Sequence, residues 1–186
     1  MPEFFTRNGD DGSTGLLGDE RVPKFHLRPS AYGALDEASS ALGLARAYAL
    51  SAETAELILD IQRDLYKIMA EVAATPQQAS RFRSIDAQRV TWLESRIESI
   101  GSRVSMPSGF VIPGDSQSGA ALDLARTVVR RAERLVVQLA REDTLANDAI
   151  LPYLNRLSSL CFVLELWENF QSGAGPPTMA RLNDQE

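Results

Sequence analysis

The 186-residue chain has little cysteine and histidine, no excess of basic residues and no long apolar run. Its one cysteine, Cys161, cannot form a disulfide within the chain, and we expect a buried apolar side chain in a reducing compartment. His26 is the only histidine, which disfavours a histidine-based metal site or a catalytic triad. We therefore expect His26 to be a loop residue and predict no metal held by protein side chains.

Charge and hydropathy disfavour two kinds of partner. The formal net charge is -6, whereas a general nucleic-acid binder needs a basic face to displace counterions from phosphates. No run approaches the roughly 20 apolar residues of a membrane span, and the first residues lack the basic and apolar regions of a signal peptide. We expect a cytoplasmic protein that binds neither nucleic acid nor membrane.

Apolar residues at helical spacing predict an all-α protein of five helices in a single domain, residues 1–186. Residues 1–29 would form an N-terminal arm, residues 30–171 a helical bundle, and residues 172–186 a polar, mobile tail. We predict no pair of strands. The expected buried faces are Ala31, Leu35, Ala38, Leu42 and Ala45; Leu57, Ile61, Leu65, Ile68 and Val72; Ile85, Leu93, Ile97 and Ile100; Leu122, Ala125, Val129, Ala132, Leu135 and Leu139; and Leu154, Leu157, Cys161, Leu164 and Trp167.

A glycine-rich stretch, TRNGDDGSTGLLG, occupies residues 6–18. Its glycines let the backbone approach a ligand, and consecutive N–H groups can form a concave anion site, so a phosphate-binding loop is one interpretation. It is not a Walker A loop, because it lacks the Gly-Lys-Ser/Thr ending and follows no strand. The alternative is a flexible, turn-rich arm, which is common near a terminus.

A second feature is an arginine stripe on the fourth predicted helix, within ARTVVRRAERLV. Arg126, Arg130 and Arg134 recur every four residues, and this spacing drifts by only about 40° per step, so all three can share a face. A carboxylate or polyphosphate opposite the stripe would offset the repulsion, and Arg suits both. Glu133, Asp36 and Glu37 are candidate carboxylates. The alternative is a solvated charged face.

The fifth helix is strongly apolar except for a few polar residues, of which Asn155 and Arg156 interrupt LPYLNRLSSLCFVLELW. A buried Asn needs hydrogen-bond partners, because an unsatisfied polar group costs on the order of 1 to 3 kcal/mol. We therefore expect Asn155 either to cap a neighbouring group or to face a ligand.

Several segments together resemble the PduO-type ATP:cob(I)alamin adenosyltransferases in order and spacing: TRNGDDGSTGLLG, RVPK, AYGALDEASSALGLARA, GFVIPG, ARTVVRRAER and YLNRLSSLCFVLELWEN. The likeness spans residues 6–169. It implies a five-helix bundle with ferritin-like up-and-down packing and a glycine-rich phosphate-binding loop, assembled as a homotrimer. ATP and corrinoid would bind between adjacent subunits, and the 5′-deoxyadenosyl group of ATP would pass to cob(I)alamin, leaving triphosphate.

The resemblance also implies roles for individual residues. The ATP phosphates would be wrapped by Thr6, Arg7, Asn8, Gly9, Ser13 and Thr14, and Lys24 would add a cation. The neighbouring chain would complete the nucleotide site with Arg130, Arg131, Glu133, Arg134 and Asn155. Asp36 would pair with Arg126 across the interface. Phe110 would lie against the corrin ring and exclude a lower axial ligand.

The chemistry implied by the resemblance fits the residues present. Co(I) is itself the nucleophile, so no Ser, Cys or His nucleophile is required. Lys24, the arginines and Mg²⁺, held mainly by the ATP phosphates, would stabilise charge on the departing triphosphate. A reductase would supply electrons, and an adenosylcobalamin-dependent enzyme could accept the product.

This chain departs from the family pattern at four positions. It has Ser159 where the family usually has Asp, Leu166 where it usually has Arg, Asp115 where it usually has Gly, and Asn8 where it usually has Thr. Two alternatives to an enzyme therefore stay open. One is a non-catalytic relative that binds ATP or adenosylcobalamin and acts in delivery or sensing. The other is a helical scaffold that binds no nucleotide.

Overall fold

A computed structural model describes residue 5, residues 7–142 and residues 145–181 of the chain. Within these residues, five α-helices account for most of the structure: α1 (Leu27–Tyr48), α2 (Ala52–Ala73), α3 (Ala87–Gly101), α4 (Gln117–Glu142) and α5 (Ile150–Ser172). A 3-10 helix, Ala79–Arg81, lies in the connection between α2 and α3. The prediction of five helices is therefore confirmed.

Apolar faces and polar caps explain why the first three helices form where they do. All the residues expected to form the buried faces of α1 and α2 are buried. Ser51 accepts a hydrogen bond from the backbone N–H of Thr54 at the start of α2, and Asp86 does the same for Arg89 at the start of α3. His26 caps α1, because its Nδ1 accepts from the N–H of Arg28. His26 is therefore a loop residue, as expected, and it caps the start of α1.

Helices that follow one another along the chain run in alternate directions, so the packed pair α3 and α5 run in the same direction, with Glu94 beside Arg156 and Gly101 beside Val163. α1 packs against α2 and α4, and α5 packs against α3 and α4. The ends of α1 and α5 meet where the backbone N–H of Leu50 donates to Glu168, so these two helices run in the same direction. α4 runs opposite to α5, since Asn155 contacts Glu133 near one end and Asn169 contacts Ser116 at the other. This up-and-down order leaves the α3–α4 connection at the carboxyl end of α5.

Three of the predicted buried faces need correction. In α3, Ile97 is only half-buried. In α4, Leu135 is only half-buried and Val136 lies in the core instead. In α5, Trp167 is half-buried, whereas Glu165, Glu168 and Asn169 are buried. α5 packs against two helices and a loop, so burial extends around most of its circumference, and a single apolar stripe does not describe it.

A small two-stranded antiparallel sheet in the N-terminal arm contradicts the expectation that no strands pair. β1 (Ser13–Gly15) lies beside β2 (Arg21–Pro23), with Thr14 opposite Val22. The sheet is joined to the bundle through Leu17, whose backbone N–H donates to Ala73 and whose carbonyl accepts from Thr75. The strands were not predicted because three-residue strands are too short to show an alternating apolar pattern.

The α3–α4 connection packs against residues that follow α5. Val111 forms a bridge with Met179, and the backbone N–H groups of Ile112 and Ala180 donate to Thr178 and Phe110 respectively. Thr178 also donates from its N–H and hydroxyl to Asp115. Of the predicted mobile tail, residues 172–186, Ser172 is the last residue of α5, and Thr178 and Ala180 are hydrogen-bonded to the connection that carries Phe110. Residues 182–186 lie outside the described chain.

Buried polar groups join α2 to the rest of the bundle. Asp64, with a side chain only 2% exposed, accepts hydrogen bonds from the Tyr153 hydroxyl of α5 and from Arg89 of α3. The buried guanidinium of Arg28 donates to the carbonyls of Val72 and Ala74 at the end of α2. These bonds satisfy groups that would otherwise destabilise the core.

Candidate functional site

Hydrogen bonds within the N-terminal arm hold the glycine-rich loop in a defined shape. Asp11 accepts from both the backbone N–H and the hydroxyl of Ser13, and this lowers the pKa of the Asp11 carboxyl. Arg21 donates to the hydroxyl of Ser13 and to the backbone carbonyl of Asn8. The loop is therefore an ordered structure, although it is largely exposed. Thr6 lies outside the described residues.

The backbone conformation at Gly12 requires glycine in this loop, and the backbone at Gly9 lies close to Lys24. Gly12 has a φ of +80°, a left-handed conformation that residues with a side chain rarely adopt. A Cβ atom added at Gly9 would lie 3.1 Å from the Lys24 ammonium, so this cation sits directly against the loop backbone. The backbone N–H of Lys24 donates to the carbonyl of Gly12, which fixes the two segments to each other. The structure thus brings Lys24 together with the glycine-rich loop.

The arginines of α4 do not behave as one uniform stripe. Arg126 is partly buried and forms an ion pair at 2.7 Å with Asp123 of its own helix. Arg131 lies on another face and pairs with Glu37 of α1. Arg130 and Arg134 are exposed. Of the carboxylates considered as partners, Glu37 therefore pairs with Arg131, and Asp36 lies exposed on α1.

Asn155 is exposed, which corrects the assumption that it is buried. Its Nδ2 donates a hydrogen bond of 3.0 Å to Glu133 of α4, and its Oδ1 accepts one of 2.8 Å from Arg156. The amide therefore has a fixed orientation at the surface between α4 and α5, close along α4 to Arg130 and Arg134. Asn155 was expected either to cap a neighbouring group or to face a ligand. An exposed amide with a fixed orientation suits the second of these.

A cavity of about 410 Å³ opens between α4, α5 and the α3–α4 connection. Its walls combine apolar and cationic groups, among them Phe110, Val111, Phe162, Arg126, Arg130 and Ser159. The Phe110 side chain is 73% exposed, so an aromatic ring stands at the opening with little protein covering it. The structure thus brings Phe110 and two of the α4 arginines to one cavity. A planar, largely apolar ligand that carries negative charge nearby would fit this combination.

Glu165 lines the same cavity and was missed by the sequence analysis. It is only 1% exposed, and burial raises the pKa of its carboxyl to about 7. The neighbouring carboxylate of Asp123 contributes to this rise, whereas Arg126 opposes it. The signal available in the sequence was a charged residue inside the apolar run LCFVLELW.

The glycine-rich loop and the Arg130 surface lie apart within one chain. The loop joins the bundle at the start of α1, beside the end of α2. Glu37, which contacts α4 through Arg131, follows Leu27 by ten residues, a helical distance of about 15 Å. The loop with Lys24 therefore precedes the start of α1, whereas Arg131 and its neighbour Arg130 lie at a level about 15 Å further along α1.

Two other kinds of site find no support in the described part of the chain. No group of three His, Cys, Asp or Glu residues there could hold a metal ion. None of the described helices has the length and apolar character needed to cross a membrane. Cys161 is buried, as expected, and burial raises the pKa of its thiol to about 12.

Comparison with known proteins gives one consistent family. The sequence profile of the family described as Cobalamin adenosyltransferase matches residues 4–168. The corrinoid adenosyltransferase of Bacillus subtilis is 36% identical over 179 residues, which cover 93% of this chain and 90% of that protein. The corrinoid adenosyltransferase PduO of Citrobacter freundii is 37% identical over 162 residues, which cover 87% of this chain. The chain spans about half the length of this PduO protein, because the match covers 48% of it.

Solved structures agree with the sequence comparison. A Phe-to-His variant of the PduO-type ATP:corrinoid adenosyltransferase from Lactobacillus reuteri, complexed with cobalamin and ATP, superposes with a TM-score of 0.87 at 32% identity. The match covers 96% of this chain and 97% of that chain. An Arg-to-Lys variant from the same organism, complexed with ATP, gives a TM-score of 0.86 at 31% identity and covers 96% and 100% of the two chains.

Proposed function

The chain belongs to the cobalamin adenosyltransferase family, and we propose that it transfers the 5′-deoxyadenosyl group of ATP to cob(I)alamin. The products are adenosylcobalamin and inorganic triphosphate. The observation that carries the proposal is the cavity in which exposed Phe110 stands beside Arg126 and Arg130. It combines an aromatic surface for a large planar ring with cations for a polyphosphate. Solved relatives complexed with ATP and with cobalamin support both ligands.

We propose that ATP binds between two copies of the chain. Arg7, Asn8, Gly9, Ser13 and Thr14 would surround the phosphates together with Lys24, and Thr6 would join them. The described residues of this set precede α1, whose first residue, Leu27, lies about 15 Å along the helix from Glu37, the partner of Arg131. A second copy supplies what the first copy cannot reach: Arg130, Arg131, Glu133, Arg134 and Asn155.

The cations have a direct chemical purpose in this reaction. The Co(I) centre attacks C5′ of ATP, the Co–C bond forms, and the C5′–O5′ bond breaks with its electron pair leaving on triphosphate. Negative charge therefore increases on the phosphate oxygen that departs. Lys24 and Arg130 donate hydrogen bonds to the triphosphate and stabilise this charge more in the transition state than in the ground state.

Mg²⁺ is expected to accompany the triphosphate. The described residues contain no cluster of metal ligands, so we propose that phosphate oxygens and water supply most of the coordination, as is common for Mg²⁺. The ion would add positive charge beside the leaving group. Lys24 and Arg130 then hold the phosphates in place around it.

The proposed ligand of Phe110 is the corrinoid, against which its ring packs. An apolar ring against the lower face of the corrin excludes water and a lower axial ligand, and a cobalt centre without that ligand is easier to reduce to Co(I). The exposed position of Phe110 leaves its ring available for this contact. We propose that Phe110 acts on the corrinoid and has no contact with the phosphates.

We propose that three copies form a cyclic trimer in the cytoplasm, with Asp36 of one copy paired with Arg126 of the next. Exposed apolar side chains on the outer surfaces of α1 and α4, namely Leu44, Tyr48 and Leu124, support contacts between copies. In a head-to-tail ring, the glycine-rich loop of each copy lies beside α4 of the next copy. A reductase supplies the electrons for Co(I), and an adenosylcobalamin-dependent enzyme would accept the product.

A second candidate is a non-catalytic relative that binds the same ligands for delivery or sensing. It is favoured by Ser159, which lines the cavity where the family pattern usually has a carboxylate. Mixing the purified protein with ATP, Mg²⁺ and chemically reduced cobalamin separates the two. Loss of the cob(I)alamin absorbance with formation of adenosylcobalamin above background establishes the enzyme. Calorimetric binding of both ligands without turnover would establish the second candidate instead.

A further inference from the structure

Glu165 is a buried carboxyl group in the wall of the proposed corrinoid cavity. Its residue is 1% exposed, and its Oε2 atom is buried without a hydrogen-bond partner among the described residues. Such a group destabilises the fold unless something pairs with it, because an unsatisfied polar atom loses its contacts with water. Removing Glu165 should therefore cost the isolated protein little stability. Its retention in the cavity points to a partner that arrives with the ligand.

Charged groups on two other segments act on the Glu165 carboxyl, in addition to the effect of its burial. On α4, Asp123 and Arg126 form an ion pair with each other. Asp115 lies in the connection before α4 and acts in the same direction as Asp123 on the Glu165 carboxyl. Arg126 favours the ionised form, but desolvation is the largest influence, and the pKa of Glu165 is raised to about 7. At neutral pH the group can therefore be a neutral carboxylic acid.

We propose that Glu165 is a specificity-determining residue that hydrogen-bonds a peripheral amide of the bound corrinoid. This inference rests on the proposed function. A corrin ring carries primary amides around its edge, and each amide offers an N–H donor and a carbonyl acceptor. A neutral carboxyl group offers one donor and one acceptor in the same spacing, so the two groups can form a pair of parallel hydrogen bonds. The orphan Oε2 atom gains its missing partner in this pair.

The proposed pair of hydrogen bonds needs the carboxyl proton, because the Glu165 O–H donates to the amide carbonyl, and a hydrogen bond made by the neutral form raises the pKa of Glu165 further. Binding then favours the protonated form. By linkage, corrinoid affinity is constant at pH values below the pKa of the free protein, about 7, and falls as the pH rises above it. The fall reaches tenfold per pH unit at most, because one proton is involved.

The test measures the dissociation constant of cob(II)alamin with ATP present, between pH 6 and pH 9. Cob(II)alamin is used because it is one electron more oxidised than the reactant and does not alkylate at C5′. Glu165→Gln keeps a neutral donor and acceptor, whereas Glu165→Leu removes both. We expect Glu165→Gln to bind within about twofold of wild type at pH 6 and to lose the pH dependence above pH 7. We expect Glu165→Leu to bind about three- to tenfold more weakly, the effect of one or two net hydrogen bonds.

A second measurement distinguishes amide recognition from a general effect on packing. Cobalamin derivatives with one peripheral amide hydrolysed to a carboxylate are compared on wild type and Glu165→Leu. We expect one derivative to lose affinity for wild type at pH 8 but not for Glu165→Leu, because only wild type places a second carboxyl group beside it. Thermal unfolding of each variant reports whether it folds.

The outcomes separate the inference from the proposed function. Failure of wild type to bind cob(II)alamin at any pH would overturn the proposed function and this inference with it. Binding by wild type with the same pH dependence in Glu165→Gln would overturn the inference alone. Equal losses for every hydrolysed derivative on wild type and Glu165→Leu would also overturn it.

Discussion

Asn155 Nδ2 donates a hydrogen bond of 3.0 Å to Glu133 Oε1, which joins the exposed edges of α5 and α4. Both residues are in the proposed nucleotide site, so the bond has a consequence for ATP binding. Glu133 holds the Asn155 amide in one orientation, and its carboxylate also lies near the arginines that meet the phosphates. We infer that Glu133 positions Asn155 and does not itself contact the negatively charged triphosphate.

This arrangement predicts different results from two substitutions at Glu133. Glu133→Gln retains an acceptor oxygen for Asn155, so the KM for ATP should change by no more than about twofold. Glu133→Leu removes the acceptor, and the loss of one hydrogen bond should raise the KM for ATP by roughly three- to tenfold. Steady-state kinetics with saturating cob(I)alamin measures both. Equal effects of the two substitutions would contradict a positioning function.

Lys24→Ala and Arg130→Ala should each impair the use of ATP. A charge-assisted hydrogen bond to phosphate contributes roughly 1.5 to 3 kcal/mol, so kcat/KM for ATP should fall about 10- to 150-fold. Lys67→Ala is a matched control, because the Lys67 side chain is 49% exposed on α2 and pairs only with Asp64 among the described residues. Its kcat/KM should stay within about twofold of wild type. An unchanged value for Arg130→Ala would remove Arg130 from the site.

Phe110→Ala should separate the two ligands. We expect ATP affinity, measured by calorimetry, to remain within about twofold of wild type, while the rate of adenosylcobalamin formation falls by at least tenfold. The physical reason is that the alanine no longer excludes the lower ligand from cobalt. Phe170→Ala, another exposed aromatic at 64% exposure, is the control and should leave the rate unchanged. Comparable losses of ATP affinity in Phe110→Ala and Lys24→Ala would contradict separate subsites.

Tyr153→Phe should destabilise the bundle. The Tyr153 hydroxyl is buried and donates a hydrogen bond of 2.8 Å to Asp64, and burial beside this carboxylate raises the pKa of the hydroxyl. Removing a hydrogen bond to a charged group costs roughly 1.5 to 3 kcal/mol of the free energy of unfolding. Urea denaturation measures the loss. Tyr66→Phe, an exposed tyrosine of α2, is the control and should cost less than about 0.5 kcal/mol.

The helices could be predicted from the sequence because most of them present one face to the core. In α1 and α2, the residues at helical spacing are the residues that are buried. α5 is different, since it is buried on several sides, and its apolar pattern therefore did not locate Glu165, Glu168 or Asn169. The two strands were missed because three residues are too few to show an alternating apolar pattern.

The candidate site could be predicted in part from residue chemistry and family resemblance. The resemblance named Phe110 and Arg130, and the structure places both at one cavity. The pairing of Arg131 with Glu37 and of Arg126 with Asp123 depends on how α1 and α4 pack, which spacing along one helix does not determine. The exposure of Asn155 likewise depends on which side of α5 faces α4. These features depend on tertiary packing and cannot be predicted from helical periodicity alone.

The central claim is that the loop of one copy and α4 of the next bind one triphosphate together, and mixing two inactive variants tests it most directly. Lys24→Ala and Arg130→Ala are coexpressed with different affinity tags, and complexes that carry both tags are purified and assayed. If the site forms between copies of a cyclic trimer, every trimer that carries both tags has one of its three interfaces with an intact loop and an intact α4, and about a third of wild-type activity should return. Activity no higher than that of the separate variants would contradict the account, because each chain would then contain its own complete and damaged site.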